Sequence, residues 1–297
     1  MTATTLLPRR GPRPASRRPV SHANATRARL LSRVLVVLVL LLQVYPFFWI
    51  VSTSLRPAES FASDNAFAPP TDVTLDNFSR AFEQGDIPRF LLNSAIVTVA
   101  SNVLIVVLGM MGAYAIQVLG FRLSRAVLAF FLGGIVVPVQ VALVPLFINY
   151  ANIGLLDTHL SMILPLAGFA LPMSVFLFIS FYGYVPKETY EAAALDGCGP
   201  YRLFLRITAP MSASTIVTVV FVNSIFIWND FIFANTFILS EERKTVPLGL
   251  QSYLGAMGST DWTATFAAVS VTVTPLLLAF LVFNRIVVRG LESGGRS

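Results

Sequence analysis

The sequence is poor in charge and in cysteine. Only 12% of its 297 residues are charged, whereas 55% are hydrophobic, and the mean hydropathy is +0.73. Soluble domains carry about twice that charged fraction. The single cysteine, Cys198, excludes an internal disulfide framework and any site built from several cysteines. This composition excludes an ordinary soluble domain and indicates an integral membrane protein.

The sequence also lacks the residues that capture energy or perform catalysis. A phosphate-binding Gly-x-x-x-x-Gly-Lys loop needs a lysine directly after a glycine, but Lys187 follows a proline and Lys244 follows an arginine. His22 and His159 have no acidic partner at the spacing of metal ligands, and we find no nucleophile–base motif. We therefore expect no enzyme activity, no catalytic residue, no metal and no cofactor in this chain.

The net charge of +6 comes largely from the N-terminal region. Residues 1–29 contain seven arginines among Pro, Ala, Ser and Thr, without apolar periodicity, so we predict a disordered basic tail. Residues 291–297 are predicted to form a short C-terminal tail. The arginines lie in a tail and beside apolar runs, and this distribution is not typical of a nucleic-acid-binding groove. We therefore expect no nucleic-acid partner.

Six apolar runs within residues 30–290 are long enough to cross a bilayer, which takes about 20 helical residues. Prolines within these runs do not exclude helices, because neighbouring helices satisfy the backbone groups that they free. The sequence therefore predicts an all-α polytopic membrane protein with six transmembrane helices. These spans are predicted at residues 31–54, 90–118, 126–148, 160–183, 207–233 and 264–284.

The basic residues predict the orientation of the spans. With the N-terminal tail inside, 16 of the 21 Lys and Arg residues lie on the inner side, as the positive-inside rule requires of a cytoplasmic face. Both termini are thus predicted to be cytoplasmic. The connections 55–88, 149–159 and 235–262 are then on the outer side.

The predicted spans contain almost no charge. Asp230, near the outer end of the fifth span, is the exception. Proton- or ion-driven transporters usually need ionisable groups inside the membrane, where a charge costs about 2.5–3.5 kcal/mol, so a secondary transporter is disfavoured. Uncharged polar residues fit a path for a hydroxyl-rich solute, although each could equally bond a neighbouring helix or, for Trp228, anchor the interface. The candidate pathway or outer-gate residues are Asn93, Gln140, Asn223, Trp228, Asn229 and Asp230.

Between the fourth and fifth spans, residues 186–197 predict a short helix on the cytoplasmic side. Pro186 suits the first turn, Glu188 complements the positive end of the helix dipole, and Gly197 can adopt the left-handed conformation that ends a helix. Ala192–Ala194 are expected to give the helix a low-profile side. The residues alone leave open whether it transmits movement or merely connects two spans.

The stretch Glu191-Ala192-Ala193-x-x-Asp196-Gly197, followed by Ile207-x-x-Pro210, resembles the EAA loop of ABC importer permeases. The sequence departs from the usual form at Cys198-Gly199-Pro200 and at Ala209, which leaves the exit from the helix less well defined. Further stretches, in the same order, are similar to the sugar-importing, maltose-permease-like branch of that family. They include Tyr45-Pro46-Phe47, Gly154-Leu155-Leu156-Asp157-Thr158, Trp228-Asn229-Asp230-Phe231 and Val246-Pro247-Leu248-Gly249-Leu250.

The resemblance implies a type I ABC importer permease fold in the inner or plasma membrane of a prokaryote, translocating a sugar or oligosaccharide. It implies a second permease subunit in a heterodimer, an ABC ATPase dimer that binds ATP and Mg, and an extracytoplasmic solute-binding protein towards which the loop 235–262 reaches. A permease for an amino acid, phosphate or peptide is the alternative. The residues expected to couple to the ATPase are Lys187, Glu188, Tyr190, Glu191, Ala192, Ala193, Asp196, Gly197 and Pro210.

Overall fold

The computed structural model describes residues 22–61, 69–253 and 261–294. Within these ranges the chain forms helices joined by short connections and no strand, so the all-α prediction is confirmed. The predicted tail up to residue 21, residues 295–297 and parts of two predicted outer connections, 62–68 and 254–260, lie outside the described residues.

The first six helices of the chain include three long ones, of 33, 28 and 26 residues. Ala115–Leu119 continues the third helix of the chain as one turn of π-helix. The six helices are α1 (His22–Ser54), α2 (Asp76–Gln84), α3 (Ile87–Tyr114), α4 (Ser124–Val136), α5 (Val139–Asn152) and α6 (His159–Tyr184).

The second half alternates short helices with two long ones. A second π-helical turn, Phe204–Thr208, follows α8, and a 3₁₀ turn, Glu241–Arg243, precedes α12. The helices are α7 (Lys187–Leu195), α8 (Pro200–Leu203), α9 (Ala209–Met211), α10 (Ala213–Trp228), α11 (Ile232–Phe237), α12 (Val246–Tyr253) and α13 (Trp262–Gly294).

Four helical stretches among the described residues are long and apolar enough to cross a membrane: Arg29–Ser54, Ile87–Leu119, His159–Tyr184 and Trp262–Phe283. Two bent helix pairs raise the number to six if each pair counts as one span. Helix also extends beyond the predicted spans, since residues 22–29, expected in the tail, belong to α1, and α13 continues to Gly294.

The predicted span 126–148 is not one continuous helix. It breaks between α4 and α5, which meet at 97°. Pro138 causes the break, because it lacks an N–H and disfavours helical geometry in the residue before it. Val137 accordingly has φ −69° and ψ 116°, an extended conformation.

The predicted span 207–233 is likewise divided. Ser212 separates the α8–α9 stretch from α10 at an angle of 70°. The helix then ends at Trp228, and α11 starts only at Ile232. Asp230 therefore lies in a connection between two helices and not within a helix.

Contacts divide the chain into two units, residues 1–49 and 50–297. The core of the second unit lies where α6 packs along α3. Val97, Ile105, Val175 and Phe178 are almost fully buried there. Gly109 of α3 faces Phe178 of α6, and a Cβ at this position would lie 3.4 Å from the Phe178 ring, an ordinary van der Waals distance. This helix pair fixes the positions of the segments at its two ends.

Candidate coupling site and solute pathway

Helices α3 and α6 run in the same direction and define two ends of the second unit. We call the end near Leu119 and Tyr184, which carries α7, the coupling end. The end near Ile87 and His159 is the distal end.

The predicted coupling helix is α7, slightly shorter than the predicted range 186–197. Pro186 precedes the helix with ψ 135° instead of forming its first turn. The left-handed conformation predicted for Gly197 is confirmed, with φ +77°. The N–H groups of Gly197 and Cys198 donate to the carbonyl oxygens of Ala194 and Ala193, each at 3.0 Å. These bonds satisfy carbonyl groups that the end of a helix leaves free.

The three alanines of α7 do not form one low-profile side. Ala193 is buried, while Ala192 and Ala194 are exposed. Successive residues of a helix point about 100° apart, so three in a row cannot share a face. Of the three alanines, only Ala193 therefore packs against the rest of the unit.

The other predicted coupling residues divide between the two faces of α7 and its exit. Tyr190 faces inward and is half-buried, and burial raises the pKa of its hydroxyl. Pro210 lies in α9, beyond the second π-helical turn. The exposed residues are Lys187, Glu188, Glu191, Ala192, Asp196 and Gly197.

Behind α7, polar side chains join the ends of α3 and α6 to the segment 200–212. The Tyr114 hydroxyl donates to the carbonyl oxygen of Pro200 at 3.0 Å, and its ring lies 5.2 Å from that of Phe204. The Ser212 hydroxyl contacts the Tyr182 hydroxyl at 3.4 Å. The segment that follows α7 therefore contacts the ends of both long helices through a small group of aromatic side chains.

A cavity of about 330 Å³ separates α7 from the ends of α3 and α6. Its wall combines a lysine, a glutamate, a glutamine and two tyrosines with small and apolar residues. The lining residues are Gln117, Val118, Tyr182, Gly183, Val185, Lys187, Tyr190 and Glu191.

Three large side chains at the end of α7 and in the segments that flank it are exposed, and the sequence reasoning did not select them. Tyr184, Leu195 and Tyr201 are 86%, 89% and 86% exposed. Their exposure places apolar surface next to the carboxylates of Glu188 and Glu191, a composition that suits contact with another protein. Leu195 is one of the two unspecified positions inside the EAA-like stretch, so the motif itself gave no signal for it.

The structure does not bring the six candidate pathway residues together. Gln140 is exposed on α5, and the half-buried Asn223 on α10 donates to Ser174 Oγ at 3.1 Å. This bond crosses between α10 and α6, as the helix-bonding alternative expects.

Trp228 and Asn229, by contrast, line one small cavity of about 160 Å³ together with residues of α12 and α13. Asp230 does not line it. Its carboxylate accepts the N–H of Ala234 at 3.2 Å and so stabilises the start of α11.

Asn93 lies at the distal end, and both polar atoms of its side chain form hydrogen bonds. Its side-chain N–H groups donate to the carbonyl oxygens of Glu242 and Lys244, each at 2.9 Å. Its Oδ1 lies 3.0 Å from Nε2 of His159, the first residue of α6. The bonds leave Asn93 no free polar atom for a solute in this conformation, so its geometry favours the helix-bonding alternative.

Asp157 is a second distal residue that the sequence reasoning did not select as a site. It lies between α5 and α6 with φ +55°, in the left-handed region that Asp tolerates better than most residues. Its carboxylate accepts hydrogen bonds from Leu239, Ser240 and Arg243, more than 80 residues away. The only sequence signal was the short stretch Gly154–Thr158, which resembles a landmark of the permease family.

A second distal ion pair joins α2 to the start of α13. Arg80 Nε lies 3.0 Å from Asp261 Oδ2, and Arg80 also donates to the Thr263 hydroxyl at 3.0 Å. Asn77 of the same helix donates to the carbonyl oxygens of Ser54 and Arg56, each at 2.7 Å. The short helix α2 is therefore held at both of its sides.

Comparison with known proteins gives consistent matches over most of the chain. Residues 105–293 match the model of the family described as "Binding-protein-dependent transport system inner membrane component". The trehalose transport system permease protein SugB of Mycobacterium tuberculosis is 33% identical over 262 residues, covering 88% of this chain and 95% of that protein. The diacetylchitobiose uptake system permease protein NgcG of Streptomyces coelicolor is 31% identical over 269 residues, covering 90% and 89%.

A solved structure has a similar fold. A chain of a bacterial ABC transporter involved in the import of the acidic polysaccharide alginate superposes with a TM-score of 0.79, covering 90% of this chain and 99% of that one. Its sequence is 18% identical, so the match concerns the fold alone.

Proposed function

The chain belongs to the family of binding-protein-dependent transport system inner membrane components, and from this membership we propose that it imports a carbohydrate as the permease subunit of an ABC transporter. It is a multi-pass membrane protein and a transport subunit, not an enzyme. Two relatives about one-third identical over most of their length are named for the uptake of trehalose and of diacetylchitobiose. These names favour a neutral sugar over an amino acid, phosphate or peptide.

The observation that carries the proposal is the placement of α7. It presents carboxylates and a lysine outward at the coupling end, while Ala193 and Tyr190 face the ends of α3 and α6. A partner that binds the exposed face would move a helix that packs on α8 and lies across a cavity from the ends of two long spans. We propose that this partner is an ATPase dimer, which binds ATP and Mg and hydrolyses the nucleotide.

The remaining partners follow from the same proposal. A second, different permease subunit completes the pathway, and a solute-binding protein delivers the sugar at the distal end. The coupling end then faces the cytoplasm together with both termini, in the cell membrane of a prokaryote. Trp228 and Asn229, which line a cavity near the distal end of α10, are the best remaining candidates for contact with the solute.

The coupling assignment is tested by reversing one charge at each end of the protein. Glu191→Lys changes an exposed carboxylate of α7, and Glu242→Lys makes the same change at an exposed distal carboxylate. Each variant is co-expressed with its partner permease and an affinity-tagged ATPase, and the complex is isolated through the tag. We expect Glu191→Lys to reduce recovery of the permease at least fivefold, because the new lysine would repel the basic groups of the ATPase that the native carboxylate attracts. Glu242→Lys should leave recovery unchanged.

Equal recovery of the two variants would show that Glu191 does not take part in the ATPase contact. The solute class is tested separately, with the assembled wild-type complex in proteoliposomes that contain ATP. Uptake of labelled trehalose or diacetylchitobiose delivered by the binding protein is the expected result. Uptake of a labelled amino acid or phosphate instead would contradict the carbohydrate proposal.

A further inference from the structure

The segment 238–246, which we call the distal segment, is held from one side by Asp157. Oδ1 of this carboxylate accepts the N–H of Leu239 at 3.1 Å, the N–H of Ser240 at 3.0 Å and the Ser240 hydroxyl at 2.9 Å. Oδ2 forms an ion pair with Arg243 at 3.0 Å. Asp157 also donates its own N–H to the carbonyl oxygen of Phe237 at 2.9 Å. One residue thus fixes the main chain at the start of the segment.

Helix α3 holds the same segment from the other side. Asn93 donates to the carbonyl oxygens of Glu242 and Lys244, and the Ser94 hydroxyl accepts the N–H of Val246 at 2.9 Å. His159, the first residue of α6, contacts Asn93 and so ties the two holding groups together. The main chain of the distal segment is therefore fixed to α3 and to the connection before α6.

Several side chains of the distal segment take no part in these bonds and are exposed to solvent. Leu239 is 68% exposed, and Glu241 and Glu242 are exposed. An exposed leucine among charged side chains on a fixed backbone has the composition of a contact surface whose shape is set before a partner arrives. Fixing a loop in its bound conformation lowers the entropy that binding must overcome.

We propose that Asp157 is a positioning residue for the docking of the solute-binding protein: it holds the distal segment in the conformation that the binding protein contacts. The proposal rests on the proposed function, which supplies the partner. Asp157 itself makes this contribution through Leu239, Ser240 and Arg243, and not by touching the solute.

The test measures how the binding protein stimulates ATP turnover by the assembled transporter in nanodiscs. Asp157→Ala removes all four carboxylate bonds, so the concentration of binding protein needed for half-maximal stimulation should rise about tenfold. The maximal rate at saturating binding protein should stay unchanged, because the segment still reaches the bound conformation once the partner is in excess. Asp72→Ala, a change at an exposed carboxylate outside the distal segment, is the matched control and should match the wild type.

Two milder variants keep the proposal testable if Asp157→Ala fails to assemble, as judged by size-exclusion chromatography. Asp157→Asn and Arg243→Ala both remove the ion pair and leave an acceptor for the bonds from Leu239 and Ser240. Both should raise the half-maximal concentration about threefold. If these variants match Asp72→Ala, or if the maximal rate falls while the half-maximal concentration stays constant, the positioning role is wrong.

Hydrogen–deuterium exchange separates failure of this inference from failure of the proposed function. In Asp157→Ala, peptides covering the distal segment should exchange about tenfold faster, while peptides covering α7 keep the wild-type rate. If the wild-type complex shows no stimulation by any binding protein, the proposed function fails, and the docking role fails with it. If stimulation is normal but the exchange of the distal segment is unchanged in the variant, Asp157 does not position the segment.

Discussion

The two ends of the α3–α6 pair are built from different interactions. At the distal end, carboxylate, amide and guanidinium groups hold the main chain of residues 237–246. At the coupling end, α7 faces the unit with one buried alanine and one half-buried tyrosine, and its charged side chains are exposed. The distal segment is fixed by hydrogen bonds and an ion pair, whereas α7 packs against the unit through a small apolar contact.

The difference has an energetic side. A hydrogen bond to a charged group contributes about 1.5–3 kcal/mol, at the lower end for partly exposed groups such as Asp157 and Arg243. Burying one methyl group, as Ala193 does, contributes about 0.8 kcal/mol. A partner protein can therefore displace α7 at a much smaller cost than the distal segment. One end suits recognition of a fixed shape and the other suits the transmission of movement.

The largest expected effect breaks the distal end. A Cβ at Gly249 of α12 would lie 2.7 Å from Cγ of Phe90 in α3. Gly249→Leu should therefore destabilise the protein by about 3 kcal/mol and abolish the monodisperse peak in fluorescence-detected size-exclusion chromatography. Gly133→Leu, in a helix where an added Cβ meets no atom within 4 Å, is the control and should retain the peak. A normal peak for Gly249→Leu would show that α12 does not pack as described.

A smaller effect is expected from disrupting the contact between α7 and the rest of the unit. Ala193→Leu overfills the contact with the rest of the unit at a cost of about 2 kcal/mol, whereas Ala194→Leu adds the same side chain on the exposed face. Complexes of both variants should assemble, but only Ala193→Leu should reduce transport per ATP hydrolysed, measured in proteoliposomes. Equal coupling ratios would remove the distinction between the two faces.

The exit of α7 offers a finer comparison between two glycines. Gly197 has φ +77°, while Gly199 has φ −68° and extended geometry. Alanine at 197 should cost about 1–2 kcal/mol, and alanine at 199 should cost almost nothing. We expect a lower thermal midpoint and weaker coupling for Gly197→Ala alone. Identical midpoints would mean that the helix ends without needing the left-handed residue.

The smallest effect concerns pH at the distal end. Desolvation raises the pKa of Asp157, but the N–H groups of Ser240 and Leu239, the Ser240 hydroxyl and the charge of Arg243 together lower it below its usual 3.8. A carboxyl whose folded pKa is lowered adds stability above its unfolded pKa and loses it as the pH falls through the folded value. The part of the segment's exchange protection that depends on Asp157 is the difference between the wild type and Asp157→Asn, corrected for intrinsic rates. This difference should therefore be constant from about pH 8 to 5 and fall only below about pH 4. Loss of the difference near pH 6 would contradict this.

Much of the fold could be predicted because it depends on local patterns. Apolar runs of bilayer length predicted the long helices, and the glycine at 197 predicted the end of α7. The break at Pro138 could not be separated from Pro145, which remains inside α5, because the outcome depends on neighbouring helices. The hydrogen bonds and the ion pair of the distal end could not be predicted from the sequence for a related reason. Asp157 and Arg243 are 86 residues apart, and Asn93 and Lys244 are 151 apart, so no local pattern specifies their pairing.

Cys198 follows directly after the left-handed turn that ends α7, and its N–H closes that helix. It is the single thiol of the chain and is partly exposed. A fluorophore attached there reports on α7 without the removal of any native residue. A second cysteine introduced at Glu242 would place one label at the coupling end and one at the distal end. The distance between the two labels, measured during turnover, would then report the movement of α7 relative to the distal segment.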